Sequence, residues 1–295
     1  MPSLDLAASH PALRPGATAV VTGAAGGIGL AAASAFARAG LNVVMADLAG
    51  EKLEKAQAAV AAMATSPRSV LAVPTEVSRF GEVEQLRTVT EAEFGVPAVL
   101  MNNAGIGLNP GGAAKELAAW KRLMDVNFWG AAHGVHAFVP AMAASGQPGL
   151  VINTGSKQGI TTPPGNAAYN VSKAALKVLT EQLAHELRNT EGARVTAHLL
   201  IPGFTFTGMT SAAAEKPPAA WTPDQVVDFM FESLARGDFY ILCPDNDVDR
   251  PTDERRIRWA AGDIIENRPA LSRWHPEWKD RFAAFMAGEA RTEPN

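Results

Sequence analysis

Three side chains between residues 151 and 173 are of types that can move a proton together. Ser156 brings a hydroxyl, Tyr169 a phenol and Lys173 an ammonium. Tyr169 and Lys173 are four residues apart, so on a helix they share one face, one turn from each other. Ser156 lies upstream, just past the apolar run Gly149–Thr154, which reads as a buried strand. A free phenol titrates near 10 and holds its proton too tightly to act as a base near neutrality. A nearby ammonium favours the phenolate, and a downward shift of about three units is worth about 4 kcal/mol. The chemistry on offer is proton transfer at an alcohol or carbonyl oxygen, with Ser156 orienting that oxygen.

Such a set needs a frame, and the sequence alternates strand and helix patterns around it. Thr18–Thr22 is a short β-type run, followed by a glycine-rich turn and an Ala-rich helix over about Ile28–Ala39 that Gly40 stops. Strands follow at Leu41–Ala46, Ser69–Pro74, Ala98–Met101, Gly149–Thr154 and Arg194–Leu200. Helices are predicted at about 51–64, 80–94, 113–145 (broken at its start) and 167–188. Uncharged, β-branched strands alternating with helices predict an α/β fold: a doubly wound parallel sheet in three α/β/α layers. One domain is expected over 17–244, after a leader of residues 1–16. Within it, residues 204–223 are too long for an ordinary connection and read as a lid over the site. A helix at about 223–236 and a strand at Phe239–Leu242 complete it. The extension 245–295 is charged yet carries Trp259, Trp274 and Trp278, so it is expected to dock on its own or a neighbouring subunit.

The turn Gly23-Ala-Ala-Gly-Gly27-Ile28-Gly29 stands between the first strand and the first helix. Glycines there let the chain turn tightly and let a pyrophosphate approach a helix N-terminus, whose N–H groups and dipole favour anions. Asp47 ends the second strand, where an acid accepts hydrogen bonds from the adenosine ribose hydroxyls. Neither 24–28 nor 46–49 contains Lys or Arg to meet a 2′-phosphate, so NAD is favoured over NADP.

Composition closes off other classes. The net charge is −4, with basic residues scattered, which gives no reason to expect nucleic acid or an anionic membrane as partner. Residues 1–16 lack the pattern of a secretory signal, and the uncharged runs are interrupted by Asn, His, Pro and Gly, so a cytoplasmic protein is expected. The single cysteine, Cys243, reads as a small buried hydrophobe. His133 and His136 have metal-compatible spacing without an evident third ligand and read as packing residues; no metal is expected. Asp245, Asp247 and Asp249 alternate like calcium ligands but lack the Gly and closing Glu of such a loop, and read as a solvated turn.

Six motifs in order resemble the short-chain dehydrogenase/reductase family over about residues 15–242. They are the glycine motif at Thr22–Gly29, Asn102-Asn103-Ala104-Gly105, Asn127 in Val-Asn-Phe-Trp-Gly, Ser156, Tyr169-x-x-x-Lys173, and Pro202-Gly203 with Thr207 beyond. The resemblance implies a Rossmann fold and hydride transfer between NAD(H) and a secondary alcohol or ketone. Tyr169 would be the general acid/base, with Lys173, Ser156 and Asn127, the last holding a water in a relay to Lys173. It implies cofactor contacts from Gly23, Gly27, Ile28, Gly29, Asp47, Val77, Asn103, Ala104, Gly105, Tyr169, Lys173, Pro202, Gly203 and Thr207. Two departures stand out: Glu76-Val77 replaces the usual Asp-Val, and Gly155 precedes Ser156 where a second Ser is common. Lys157, Gln158, Phe204 and Met209, with Ile160, Phe206 and Trp221, are candidates to line a pocket for a cyclic or aromatic substrate. In this family the equivalents of the uncharged helix within 126–145 and of helix 167–188 pair across subunits, which implies a homodimer or homotetramer. Two alternatives use the same residues: a catalytically silent dinucleotide-binding sensor or scaffold, and a lyase or epimerase that retains its NAD.

Overall fold

The computed structural model describes residues 6–210 and 215–288. Seven strands form one parallel sheet in the order β3-β2-β1-β4-β5-β6-β7. In chain order the elements begin with α1 (Leu6–Ser9), β1 (Thr18–Thr22), α2 (Gly27–Arg38), β2 (Asn42–Asp47), α3 (Glu51–Ala61) and β3 (Val70–Pro74). There follow α4 (Phe80–Phe94), β4 (Val99–Asn102), α5 (Leu117–Met124), α6 (Gly130–Ala144), β5 (Gly149–Thr154), α7 (Gln158–Thr161), α8 (Ala167–Asn189) and β6 (Val195–Ile201). The chain closes with α9 (Pro223–Ala235), β7 (Tyr240–Leu242), α10 (Arg250–Ile265) and α11 (Lys279–Ala287). The strand order reverses direction between β1 and β4, the place where open parallel sheets leave a crevice at their carboxyl ends.

The two faces of the sheet follow from strand alternation. Ala19, Val21, Val43, Met45, Met101 and Ile152 point to one side, with α2, α3 and α9 and with Ala12 and Leu13 from the start of the chain. Val20, Val44, Leu100 and Val151 point to the other, against α4, α6 and α8 through Leu86, Phe138, Met142, Leu183 and Leu187. Ala-rich α2 suits its position, because small side chains let it lie close to the sheet. Local signals start the later helices. Asn166 caps α8 by accepting from the Tyr169 N–H (3.3 Å), and Thr222 with Gln225 forms a capping box on α9.

Several sequence expectations are corrected in detail. The helical stretch expected over 113–145 starts at Leu117 and is divided by a π-turn at Asp125–Trp129. The helix expected to reach residue 64 ends at Ala61, and the sixth strand is shifted to Val195–Ile201. The aspartates after β7 are not a simply solvated turn. The Asp245 side chain is only 7% exposed and accepts backbone N–H groups, and Asp249 is the N-cap of α10, accepting from Thr252 N–H at 2.9 Å. Asp249, Pro251 and Asp253 are together an N-terminal helix signal, and the calcium comparison obscured it. Beyond β7, α10 packs against α7, and Trp259 is buried, its indole N–H donating to Ser272 Oγ at 2.8 Å. The Arg268 guanidinium stacks 4.1 Å from the Trp259 ring. The stretch 211–214 of the expected lid lies outside the described residues.

Candidate active site

The cleft at the carboxyl ends of β1, β2, β4, β5 and β6 has a volume of about 660 Å³ and gathers the glycine turn, Asp47, Ser156, Tyr169 and Lys173 along one wall system. At its floor the strand ends are stapled by neutral hydrogen bonds. Thr22 Oγ1 accepts from the N–H groups of Asn103 (3.0 Å) and Ala104 (3.1 Å). Asn103 Nδ2 donates to Thr22 O at 3.1 Å, and Thr154 Oγ1 donates to Asn103 Oδ1 at 3.3 Å. The Asn103 amide is therefore engaged in holding β1, β4 and β5 together.

The glycine turn has no room for a side chain at Gly23 or Gly29. Gly23 has φ +66°, and a Cβ on Gly29 would stand 2.2 Å from Gly23 O and 2.6 Å from Asn103 Nδ2. A dinucleotide's phosphates fit such a bare backbone at the start of α2. Asp47 flanks it: one carboxylate oxygen accepts the Ala25 N–H and the other the Leu48 N–H, both at 2.8 Å. The sequence reading missed Lys52. It lies on α3, yet its ammonium stands 3.0 Å from where a Gly26 Cβ would be, over the turn. A cation in the first turn of the helix after Asp47 is the signal that could have found it. Val77 is buried beside the cleft, and its carbonyl accepts a hydrogen bond from His133 Nδ1 at 2.8 Å.

The proton-transfer group sits deeper. Lys173 is 5% exposed; its Nζ donates to Thr154 O at 2.8 Å and lies 5.9 Å from the Tyr169 ring centroid. Burial pulls its pKa down to about 8. The Ser156 hydroxyl near Tyr169 favours the phenolate, but burial outweighs it and raises the phenol above its ordinary value. From the sequence, the lowered phenol rests on the Lys173 ammonium together with the positive nicotinamide ring of the oxidised cofactor; in the chain by itself, burial is the larger effect. Asn127 owes its place to the π-turn, a feature that often marks functional sites. Its Oδ1 accepts the Ile106 N–H (2.8 Å) and its Nδ2 donates to Ile106 O (3.0 Å), so it clasps the chain just after Gly105.

On the substrate side the candidates separate. Gln158, Phe204 and Met209 line the cleft, with Met209 folded over Gly107, whose Cβ would meet Met209 Cγ at 2.7 Å. Thr207 rests on the glycine turn, its Cγ2 3.1 Å from a Gly27 Cβ position. Lys157 also lines the cleft, with its ammonium directed to Asp253 (2.6 Å) and Asp245 (3.4 Å). Ile160 and Trp221 pack into apolar clusters instead of the cleft. Trp221 pairs with the start of the 204–223 segment, its backbone N–H donating to Phe204 O at 2.9 Å.

A glycine turn, an acid at the end of β2 and a Ser–Tyr–Lys group lie together in the crevice of a doubly wound sheet, the arrangement of a dinucleotide-dependent oxidoreductase. The short chain dehydrogenase family profile matches residues 17–218, and the chain belongs to that family. It is 34% identical over 263 residues to a 1-deoxy-11-beta-hydroxypentalenate dehydrogenase of Streptomyces exfoliatus, covering 87% of this chain and 93% of that protein. Among solved structures it is similar to a short-chain dehydrogenase/reductase of Burkholderia phymatum in complex with NAD, with TM-score 0.76 and 31% identity over 86% of this chain and 96% of that one. It is also similar to a 3-ketoacyl-(acyl-carrier-protein) reductase of Brucella melitensis complexed with NADH, with TM-score 0.69 and 25% identity over 79% of this chain and 98% of that one.

Proposed function

We propose that this protein is an NAD(H)-dependent dehydrogenase/ketoreductase acting on a secondary alcohol or ketone. The observation that carries the reading is the meeting of Ser156, Tyr169 and buried Lys173 in the same crevice as the glycine turn and Asp47. Bound NAD would supply the hydride acceptor and a positively charged ring beside the phenol. Asp47 would accept from the adenosine ribose hydroxyls, which favours NAD over a 2′-phosphorylated cofactor, and Lys52 would face the phosphates over Gly26.

The chain's own residues then divide the work. Ser156 hydrogen-bonds the substrate oxygen and fixes its distance from Tyr169. Tyr169 takes the hydroxyl proton during oxidation and returns it during reduction. Lys173 holds positive charge below a pKa of about 8 and stabilises the phenolate. Asn127 keeps the Gly105–Ile106 segment in place behind them. The relative named for a hydroxylated substrate supports an alcohol as the reacting group, and the apolar Phe204 and Met209 support a cyclic or aromatic one. A homo-oligomer of molecules in solution is part of the same reading.

The test is a screen of secondary alcohols, cyclic, aromatic and aliphatic, with NAD and with NADP, read as reduced-cofactor absorbance. Turnover with NAD is expected, and Tyr169→Phe lowers kcat by about a thousandfold or more while NADH still binds. Absence of turnover across the panel, or a Tyr169→Phe variant as active as the parent, overturns the reading.

A further inference from the structure

Lys157 directly follows Ser156, and its ammonium is held in a largely buried ionic group with Asp253 (2.6 Å) and Asp245 (3.4 Å). The side chains are 16%, 6% and 7% exposed, respectively. Each comes from a different part of the chain: the loop after β5, the turn after β7, and α10. Asp245 also reaches a fourth segment, since its Oδ2 accepts the Phe204 N–H at 3.1 Å at the root of the lid. Its other oxygen is anchored by the N–H groups of Asp247 (3.2 Å) and Val248 (2.9 Å). The pair lies directly on the chain at Gly203, where a Cβ would stand 2.6 Å from Asp245 Oδ2 and 3.0 Å from Lys157 Nζ. One turn along α10 from Asp253, Ile257 packs with Ile160 of α7 and with Leu199, Ile201 and Leu242 at the end of the sheet.

We propose that Lys157, Asp245 and Asp253 form an ionic clamp through which the C-terminal helix α10 positions the Ser156 loop and the root of the lid for the substrate. Apolar packing of Ile257 would hold α10 on the sheet but would tolerate sliding, whereas an ion pair fixes one geometry. The charges facing the clamp are consistent with this: Arg256 and Arg273 lie near Asp253 and offset the excess of carboxylate. The clamp couples the part of the chain beyond the family match, which ends at residue 218, to residues inside it. These are positioning residues, and their part in turnover rests on the dehydrogenase reading above.

The test uses the full chain carrying Asp253→Asn, Lys157→Met or the conservative Lys157→Arg. Amide hydrogen exchange is followed by mass spectrometry, alongside the alcohol KM and the NADH dissociation constant. For Asp253→Asn and Lys157→Met, exchange rises about tenfold or more in segments 155–162 and 203–208 and stays unchanged over 18–30. The KM for the best alcohol rises about tenfold, about 1.4 kcal/mol, while NADH affinity is unchanged, and Lys157→Arg recovers most of both effects. Unchanged exchange, exchange raised throughout the chain, or local exchange with an unaltered KM overturns the clamp. If the parent protein oxidises none of the alcohols, the dehydrogenase reading falls and exchange alone decides: local deprotection upholds the clamp and its absence overturns it.

Discussion

The two sides of the cleft are held by different forces. On the cofactor side, Thr22, Asn103, Thr154 and Asp47 bind the strand ends through short hydrogen bonds, mostly to backbone groups of the neighbouring strand or turn. Behind them a buried neutral chain runs from Asn102 to Asn153 (2.9 Å) to Thr180 (3.0 Å), tying β4 and β5 to α8. On the substrate side, backbone bonds join the stretch 204–206 to Trp221, whereas the Ser156 loop, the turn after β7 and α10 are joined to one another by charged side chains from distant parts of the chain. The difference teaches where each kind of precision comes from. The glycine turn is fixed by the sheet itself, so bonds to backbone groups are enough, the Asp47 carboxylate taking the Ala25 N–H of the turn. The Ser156 loop and α10 lie outside the ladder of the sheet, and fixed charges supply their register.

The harshest way to break the cofactor side is to give Gly29 a side chain. Gly29→Ala places a methyl 2.2 Å from Gly23 O. NADH affinity should fall by a hundredfold or more, equivalent to about 2.7 kcal/mol, in a fluorescence titration, with the substrate-side segments keeping their amide protection. An effect on stability that is smaller, and opposite in sign to the effect on activity, is expected where the two sides meet. Lys173 has its folded pKa lowered from 10.5 to about 8, so between those values the unfolded chain binds the extra proton. Stability therefore rises as pH climbs through that window, and below it the buried charge is a constant cost. Lys173→Met should abolish turnover, raise the melting temperature at pH 7 by about 2–4 °C, and flatten the rise in stability between pH 8 and 10.5. The smallest effect tests whether charge alone, without burial, fixes position. Lys55 and Glu51 pair at 2.6 Å with both side chains more than 70% exposed, so Lys55→Ala should alter stability by less than about 0.5 kcal/mol and leave KM unchanged. A large effect there would erase the contrast with the buried Lys157 group.

Much of the cofactor side was legible in the sequence, because its determinants are local. Gly23 and Gly29 must be bare where a turn meets a helix start, Asp47 must end a strand, and Tyr169 and Lys173 need only helical spacing to share a face. The β–α alternation in turn dictated the parallel sheet, through the requirement that uncharged strands be covered on both sides. Lys52 was hidden because its sequence neighbourhood is an ordinary exposed helix; only the packing of α3 beside the turn brings it over Gly26. Asn127 could be singled out by its motif, yet its clasp on Ile106 depends on a π-turn that no periodicity marked.

The substrate side was read least well, for the same physical reason that it is built differently. Lys157, Asp245 and Asp253 have no sequence spacing in common, and each alone resembles a surface charge. Their meeting exists only after β6, β7 and α10 have packed. The sequence by itself determined the strands of the sheet, the glycine turn and the sharing of one helix face by Tyr169 and Lys173, since each is written in residues that are neighbours along one strand, turn or helix. The tertiary structure alone decided which charges are buried together, how far burial raises Tyr169 and lowers Lys173, and which chain segments hold Ser156 in place, since those depend on distances between parts of the chain that no local pattern connects.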